Sequence, residues 1–131
     1  MSEGIEGSPL STISGPEIAR RALAFSGRFS EETSESAESQ TWWNALFDVF
    51  GQDRYKVALF QRAARRSSTS NTGLIDVFMP GVFIGEHKSF GKSLDDAEAQ
   101  AEDYLLGGGI PPSEEPNYIV TTDFREIRIS N

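Results

Sequence analysis

The stretch from residue 74 to residue 88 constrains this chain more than any other. Residues 74–79 and 82–87 are rich in aliphatic and aromatic side chains, and Pro80-Gly81 between them is a turn pair. The pattern predicts a β-hairpin. Yet Asp76 interrupts the first run, and Glu86 and Lys88 follow Ile84 on the second. A charge in a central strand is costly unless it is paired or bound to a metal. Glu86 and Lys88 are two apart, so they share a face. With a loop of two or three residues, Asp76 falls opposite Glu86 or one position off. Directly opposite residues have Cβ atoms ~4.5–5.5 Å apart. Two carboxylates at that separation repel, and a divalent cation resolves the repulsion. Mg²⁺ suits such a site, because it takes one or two carboxylates together with water and phosphate oxygens. Lys88 beside them can orient a water or stabilise charge developing on a phosphate. Asp76 and Glu86 are therefore the candidate metal ligands, and Asp76, Glu86 and Lys88 the candidate catalytic set. The plain structural alternative is a surface hairpin with a Glu86–Lys88 salt bridge.

Around the hairpin, periodicity and capping signals predict the order α-α-β-β-β-α-β-β. Residues 1–13 read as a flexible tail and residues 14–131 as a single domain. The first helix starts at Ser14, with Glu17 completing a capping box, and runs to Gly27. Ile18, Ala22 and Phe25 give it one buried face. The second helix covers residues 36–50, with Trp43, Leu46, Phe47 and Phe50 facing the core and Gly51 past its end. Alternating Tyr55, Val57 and Leu59 suggest a strand over 55–60. Residues 62–72, polar and basic, read as a loop. A third helix runs from Ser93, capped with Asp96, to Leu106, and Gly107-Gly108-Gly109 stops it. Residues 117–123 and 125–130 read as two final strands. The fold class is α/β (α+β), a mixed central sheet flanked by helices.

Composition narrows the chemistry. The chain has no Cys and a single His, which excludes disulfides, thiolate nucleophiles, Cys-based metal sites and two-His metal motifs. A nucleophilic triad would have to use His87, which points away from Glu86 and Lys88 and suits packing or hydrogen bonding better. No apolar run approaches the ~20 residues of a membrane span, and the N-terminus lacks the features of a signal peptide. A soluble cytoplasmic protein is expected. The net charge of −8 argues against a free-standing nucleic-acid binder. That total hides a pattern. Residues 54–92 carry seven basic and two acidic side chains, a net of +5, while residues 1–53 and 93–131 carry −6 and −7. The basic stretch surrounds Asp76, Glu86 and Lys88. It can admit a phosphate backbone on a body that binds DNA poorly alone.

The triplet Asp76, then Glu86-His87-Lys88 across a hairpin, resembles the PD-(D/E)xK nuclease superfamily. Gln100 and Tyr104, one turn apart on the next helix, resemble the RecB-like branch of it. The similarity extends along residues 16–130. It comprises residues 36–44, ending in Thr41-Trp42-Trp43-Asn44, then Gly73-Leu74-Ile75-Asp76-Val77-Phe78-Met79-Pro80-Gly81. Glu86-His87-Lys88-Ser89, Gly91-Lys92, Gln100, Asp103 and Tyr104 follow, with Tyr118-Ile119-Val120 and Thr122-Asp123-Phe124 at the end. Together these blocks resemble the N-terminal nuclease region of the MmeI-like restriction–modification enzymes.

That resemblance implies a restriction-endonuclease-like fold and a Mg²⁺-dependent endonuclease acting on double-stranded DNA, with Mn²⁺ able to substitute. It makes Asp76 and Glu86 the metal-binding carboxylates and Lys88 the catalytic lysine. Gln100, Tyr104 and Glu38 are supporting residues, Glu38 being equally readable as a solvated helix charge. In that family one long polypeptide also carries methyltransferase and target-recognition parts. Here Ile110-Pro111-Pro112-Ser113 lacks the flanking residues of the methyltransferase motif, and the glycine run ends a helix, so no S-adenosylmethionine site is expected in this chain. Those other parts would act in cis or in trans, and double-strand cleavage would pair two copies. The alternatives are a catalytically silent relative that binds DNA or protein, and a small interaction module whose hairpin charges are structural.

Overall fold

A computed structural model describes residues 13–28 and 39–131. Nearly all of the expected tail, and the expected start of the second helix with Glu38, lie outside the described residues. The described elements are α1 (Gly15–Arg28), α2 (Ser39–Val49), α3 (Arg54–Val57), β1 (Leu59–Arg65), β2 (Thr72–Met79), β3 (Phe83–His87), α4 (Leu94–Leu106), a 3-10 turn (Pro112–Glu114), β4 (Tyr118–Thr122) and β5 (Ile127–Ser130). The strands form one sheet in the order β1-β2-β3-β4-β5. All pairs are antiparallel except β3–β4, which is parallel and joined by the crossover through α4. This is the mixed α+β arrangement expected. No helix among the described residues is long and apolar enough to cross a membrane.

The sheet separates two cores. On one face, Trp42, Trp43 and Phe47 of α2 pack with Val77, Met79, Val120 and Phe124. On the other, Ala101 and Tyr104 of α4 pack with Ala64, Ile75, Phe78, Ile84 and Ile119. The tight β4–β5 connection feeds the first core. Asp123 Oδ1 accepts from the backbone N–H groups of Arg125 and Glu126, at 3.1 and 2.9 Å. Phe124 then adopts a φ of 74° and sets its ring against Trp42 and His87.

Four expectations are corrected. The strand placed over residues 55–60 begins later. Asp53 caps a helical turn by accepting from the Tyr55 N–H at 3.0 Å, so residues 54–57 coil before β1 starts at Leu59. The alternation of Tyr55, Val57 and Leu59 mimicked a strand, and the local cap overrode it. Part of the expected loop at 62–72 is β1 itself, an edge strand whose charged side chains are tolerated because one side faces water. The third concerns α1. Ser14 Oγ accepts from the Glu17 N–H as the capping signal suggested, but no α1 residue is buried. Ile18 and Phe25 are half-buried and Ala22 is exposed, because α1 packs on α2 as an outer layer, with Phe25 edge-on to Trp42 at 5.3 Å. The core-facing stripe expected on α2 is corrected too: the buried residues are Trp42, Trp43, Phe47 and Val49, while Leu46 is half-buried and Phe50, past the helix end, is exposed.

The hairpin and α4 match their signals. Gly81 takes a φ of 77° in the turn, and Ser93 Oγ accepts from the Asp96 N–H at 3.2 Å. The glycines after α4 do more than stop it. A Cβ at Gly107 would stand 1.8 Å from the Arg65 backbone oxygen, so the helix end rests directly on β1.

Candidate active site

The site forms where the β2–β3 ladder opens. Its paired residues are Met79↔Phe83, Phe78↔Ile84 and Val77↔Gly85, and pairing stops there, although β2 continues to pair with β1 as far as Thr72. The next positions in that register are Asp76 and Glu86. Side-chain oxygens take the place of the missing ladder. The His87 N–H donates to Asp76 Oδ2 at 2.9 Å, and the Asp76 N–H donates to Glu86 Oε2 at 3.2 Å. The two carboxyls are therefore interlocked, as the hairpin register predicted from sequence.

Strict strand alternation also breaks here. Val77 and Met79 enter the α2-side core, but Ile75 enters the α4-side core together with Phe78. Across the ladder, Phe60 packs on the α2-side core, whereas the Arg62 guanidinium lies 4.9 Å from the centre of the Phe78 ring on the other side. Between them Gln61, at the position facing Asp76, has a φ of 57°. A positive φ is uncommon outside glycine. The paired strands exchange faces at Gln61 and Asp76, and this turns the Asp76 carboxylate toward β3 instead of into either core.

Electrostatics follow from burial. Glu86 is 3 % exposed. Burial, and next the charge of Asp76, push its carboxyl up from 4.5 to about 9, with a hydrogen bond between the two carboxyls adding to the rise and Lys88 opposing it. Lys88 follows β3, is half-buried, and is anchored by its backbone N–H donating to the Thr122 carbonyl at 2.9 Å. Among the described residues no ion pair within 4.0 Å involves Lys88, so the hairpin does not rest on a Glu86–Lys88 salt bridge.

These residues fit a hard divalent cation. Each carboxyl uses one oxygen to accept a backbone N–H and keeps a second oxygen free of any backbone donor. A cation there would offset the burial and the Asp76 charge that hold the Glu86 carboxyl up. Among the described residues no group of three or more His, Asp or Glu side chains is placed to hold a metal ion, so any cation here would rest on Asp76 and Glu86 alone. Two carboxylates with open positions match the needs of Mg²⁺.

His87 is buried on the opposite face from Glu86. Trp43 Nε1 donates to its Nδ1 at 2.9 Å, which makes Nδ1 an acceptor and links α2 to the residue whose N–H holds Asp76. Tyr104 is fully buried, but its hydroxyl serves the far end of β2. It donates to the Leu74 carbonyl at 3.1 Å and accepts from Arg66 at 3.2 Å. Gln100, one turn earlier, is half-buried, and no hydrogen bond among the described residues joins it to Asp76, Glu86 or Lys88. Arg66 and Gly73 stand in the basic stretch and the similar block, but their contact with Tyr104 is not readable from sequence. A Cβ at Gly73 would lie 2.5 Å from the Tyr104 hydroxyl and 2.3 Å from Arg66 Nε. Only the observed strand over Thr72–Met79 makes Gly73 a strand glycine that marks such a close approach.

The basic stretch is partly spent on packing. Arg54 stacks on Tyr55 and Phe60, Arg62 pairs with Glu114 and Arg66 lies against Tyr104. Lys56, Arg65, Lys88 and Lys92 make no ion pair or ring contact among the described residues. An apolar hollow of about 530 Å³ on the α2 face, lined by residues such as Phe50, Met79, Tyr118 and Ile129, contains no carboxylate, histidine or lysine. It cannot supply hydrolytic chemistry.

Residues 18–131 match the family model described as MmeI, N-terminal domain. The chain belongs to that family. It is thus a restriction-enzyme-related domain, and the match spans every described strand and the whole Asp76–Glu86–Lys88 constellation. No curated protein and no solved structure is significantly similar to this MmeI N-terminal domain.

Proposed function

We propose that this chain is the cleavage domain of a restriction–modification enzyme, a Mg²⁺-dependent endonuclease that hydrolyses phosphodiester bonds of double-stranded DNA. The observation that carries this reading is the interlocked pair Asp76 and Glu86 at the opened ladder, with Lys88 two residues further on. Family membership supports it. On this reading the arrangement is of the PD-(D/E)xK type, and methyltransferase and target-recognition parts lie outside this chain.

Asp76 and Glu86 would hold the cation, with Mn²⁺ able to replace Mg²⁺. When bound, Mg²⁺ supplies Lewis-acid polarisation of a phosphoryl oxygen and lowers the pKa of an attacking water. The chain's own residues do the rest. The His87 and Asp76 N–H groups fix the two carboxyls in place. The Lys88 ammonium positions the water or offsets charge building on the phosphate. Water oxygen would bond to phosphorus as the bond to the 3′ oxygen breaks; the water gives up a proton to solvent and the departing 3′ oxygen takes one from solvent, leaving 5′-phosphate and 3′-hydroxyl ends. Arg65 and Lys92 are available to the flanking phosphates.

The test is incubation with supercoiled plasmid and Mg²⁺ or Mn²⁺, beside a Lys88→Ala control and calorimetric titration of the metal. Nicking by the parent and not by Lys88→Ala is the expected result. Metal affinity unchanged in Asp76→Ala would overturn the assignment of the site.

A further inference from the structure

Thr121 adjoins the site and carries an unmatched polar group. It is 1 % exposed, and its hydroxyl has no hydrogen-bond partner among the described residues. A buried hydroxyl left unpaired destabilises a fold. The next residue shows the contrast, since Thr122 Oγ1 donates to the Glu126 carbonyl at 2.7 Å and accepts from the Phe124 N–H at 2.9 Å.

The β3–β4 register pairs Thr121 with Glu86. Two residues before each of them, Ile84 and Ile119 both enter the α4-side core. Glu86 and Thr121 therefore project side by side on that face, from strands ~4.8 Å apart. On its other side Thr121 pairs with Arg128, whose guanidinium is held by Asp95 at 2.6 Å. A carboxylate that ligates a cation is acceptor-only, with about four lone-pair sites to satisfy. One of these on Glu86 takes the Asp76 N–H. The hydroxyl of Thr121 is an adjacent donor with no other use.

Resting on the metal-dependent reading above, we propose that Thr121 is a positioning residue for the divalent cation. Its hydroxyl donates to the Glu86 carboxylate and holds it in the orientation that binds the metal. Outer-shell partners of this kind contribute about 10–100-fold to metal affinity.

The test is Mn²⁺ titration by calorimetry of the parent, Thr121→Val, Thr121→Ser and Asp76→Ala, beside metal-free thermal unfolding. Valine keeps the shape and removes the hydroxyl. Thr121→Val is expected to bind Mn²⁺ about tenfold more weakly, with a metal-free melting temperature equal to or above the parent's. Thr121→Ser is expected to bind as the parent does. If Thr121→Val binds as tightly as the parent while Asp76→Ala does not bind, the metal site stands and the role of Thr121 is refuted. A fall in the metal-free melting temperature of Thr121→Val would make the hydroxyl a structural group and also refute it. A parent that binds no Mn²⁺ removes the metal site itself, and this inference with it.

Discussion

Glu86→Gln tests the energetic basis of the site. The Glu86 carboxyl is held up to about 9, against an ordinary value of 4.5. Across that window the folded chain keeps a proton that the unfolded chain has lost. The unfolded state then binds fewer protons, so stability falls as pH rises, by roughly 1 kcal/mol or a little more per pH unit. The contribution is fully present below about pH 4.5 and is lost by about pH 9. From pH 5 to pH 8 the parent should lose about 4 kcal/mol through this one group. Glutamine keeps the volume and the oxygen that accepts the Asp76 N–H, and its amide can donate to the Asp76 carboxylate, but it does not titrate. The variant should lack that slope and be the more stable protein at pH 8. Urea unfolding across this pH range, followed by the fluorescence of buried Trp42 and Trp43, measures both chains. Equal slopes for parent and variant would show that Glu86 is not the group taken out of water, and the account of the site would fail.

Three further outcomes are expected. Because a cation must displace the Glu86 proton, Mn²⁺ affinity should rise roughly tenfold per pH unit between pH 6 and pH 8, and a calorimetric affinity independent of pH would contradict this. Gly107→Ala drives a Cβ to 1.8 Å from the Arg65 carbonyl oxygen and should lose about 3 kcal/mol or more. Gly108→Ala meets open space at a φ of 81° and should lose only about 1 kcal/mol, so chemical denaturation that ranks the two alike would count against the contact with β1. Trp43→Phe deletes a donor to His87 Nδ1, whereas the Trp42 indole N–H has no partner among the described residues. Trp43→Phe should therefore cost about 1–3 kcal/mol more than Trp42→Phe, and equal losses in the same assay would discount the Trp43–His87 bond.

The parts legible in the sequence were those set by local chemistry. Pro80-Gly81 marks the hairpin turn and brings Asp76 opposite Glu86 or one position off, and the observed register puts them opposite. Ser93 with Asp96, and the glycines from 107, delimited α4. The parts that were not legible depended on neighbours distant in sequence. Arg62 and Arg65 looked like loop residues because an edge strand can be polar, and nothing local says that residues 59–65 lie beside β2. Tyr55, Val57 and Leu59 alternate like a strand, but one Asp53 side chain decided the outcome. Residues 54–92 do carry a net positive charge, yet Arg54, Arg62 and Arg66 lie on aromatic rings that no linear reading places beneath them. Thr121 gave no signal at all, since a threonine in a strand is ordinary until its hydroxyl proves to be unpaired.

Several departures from sheet rules fall within one patch of this fold. The β2–β3 ladder ends at Val77↔Gly85. Gln61, facing Asp76, takes a positive φ, and the strands exchange faces there. Among the described residues Glu86 is buried with no ion pair within 4.0 Å, and Thr121 beside it has a buried hydroxyl without a hydrogen-bond partner. Each departure opposes folding, and none is needed to close the two apolar cores on either side. Local rules broken together at one place are expected where a chain is built for chemistry and not for stability. The departures are also complementary. The opened ladder frees carboxyl oxygens, the buried Glu86 makes no ion pair among the described residues, and Thr121 lacks an ionised acceptor. A divalent cation between Asp76 and Glu86 would answer all three at once. That common remedy is a stronger argument for the metal site than the spacing of Asp76, Glu86 and Lys88 alone.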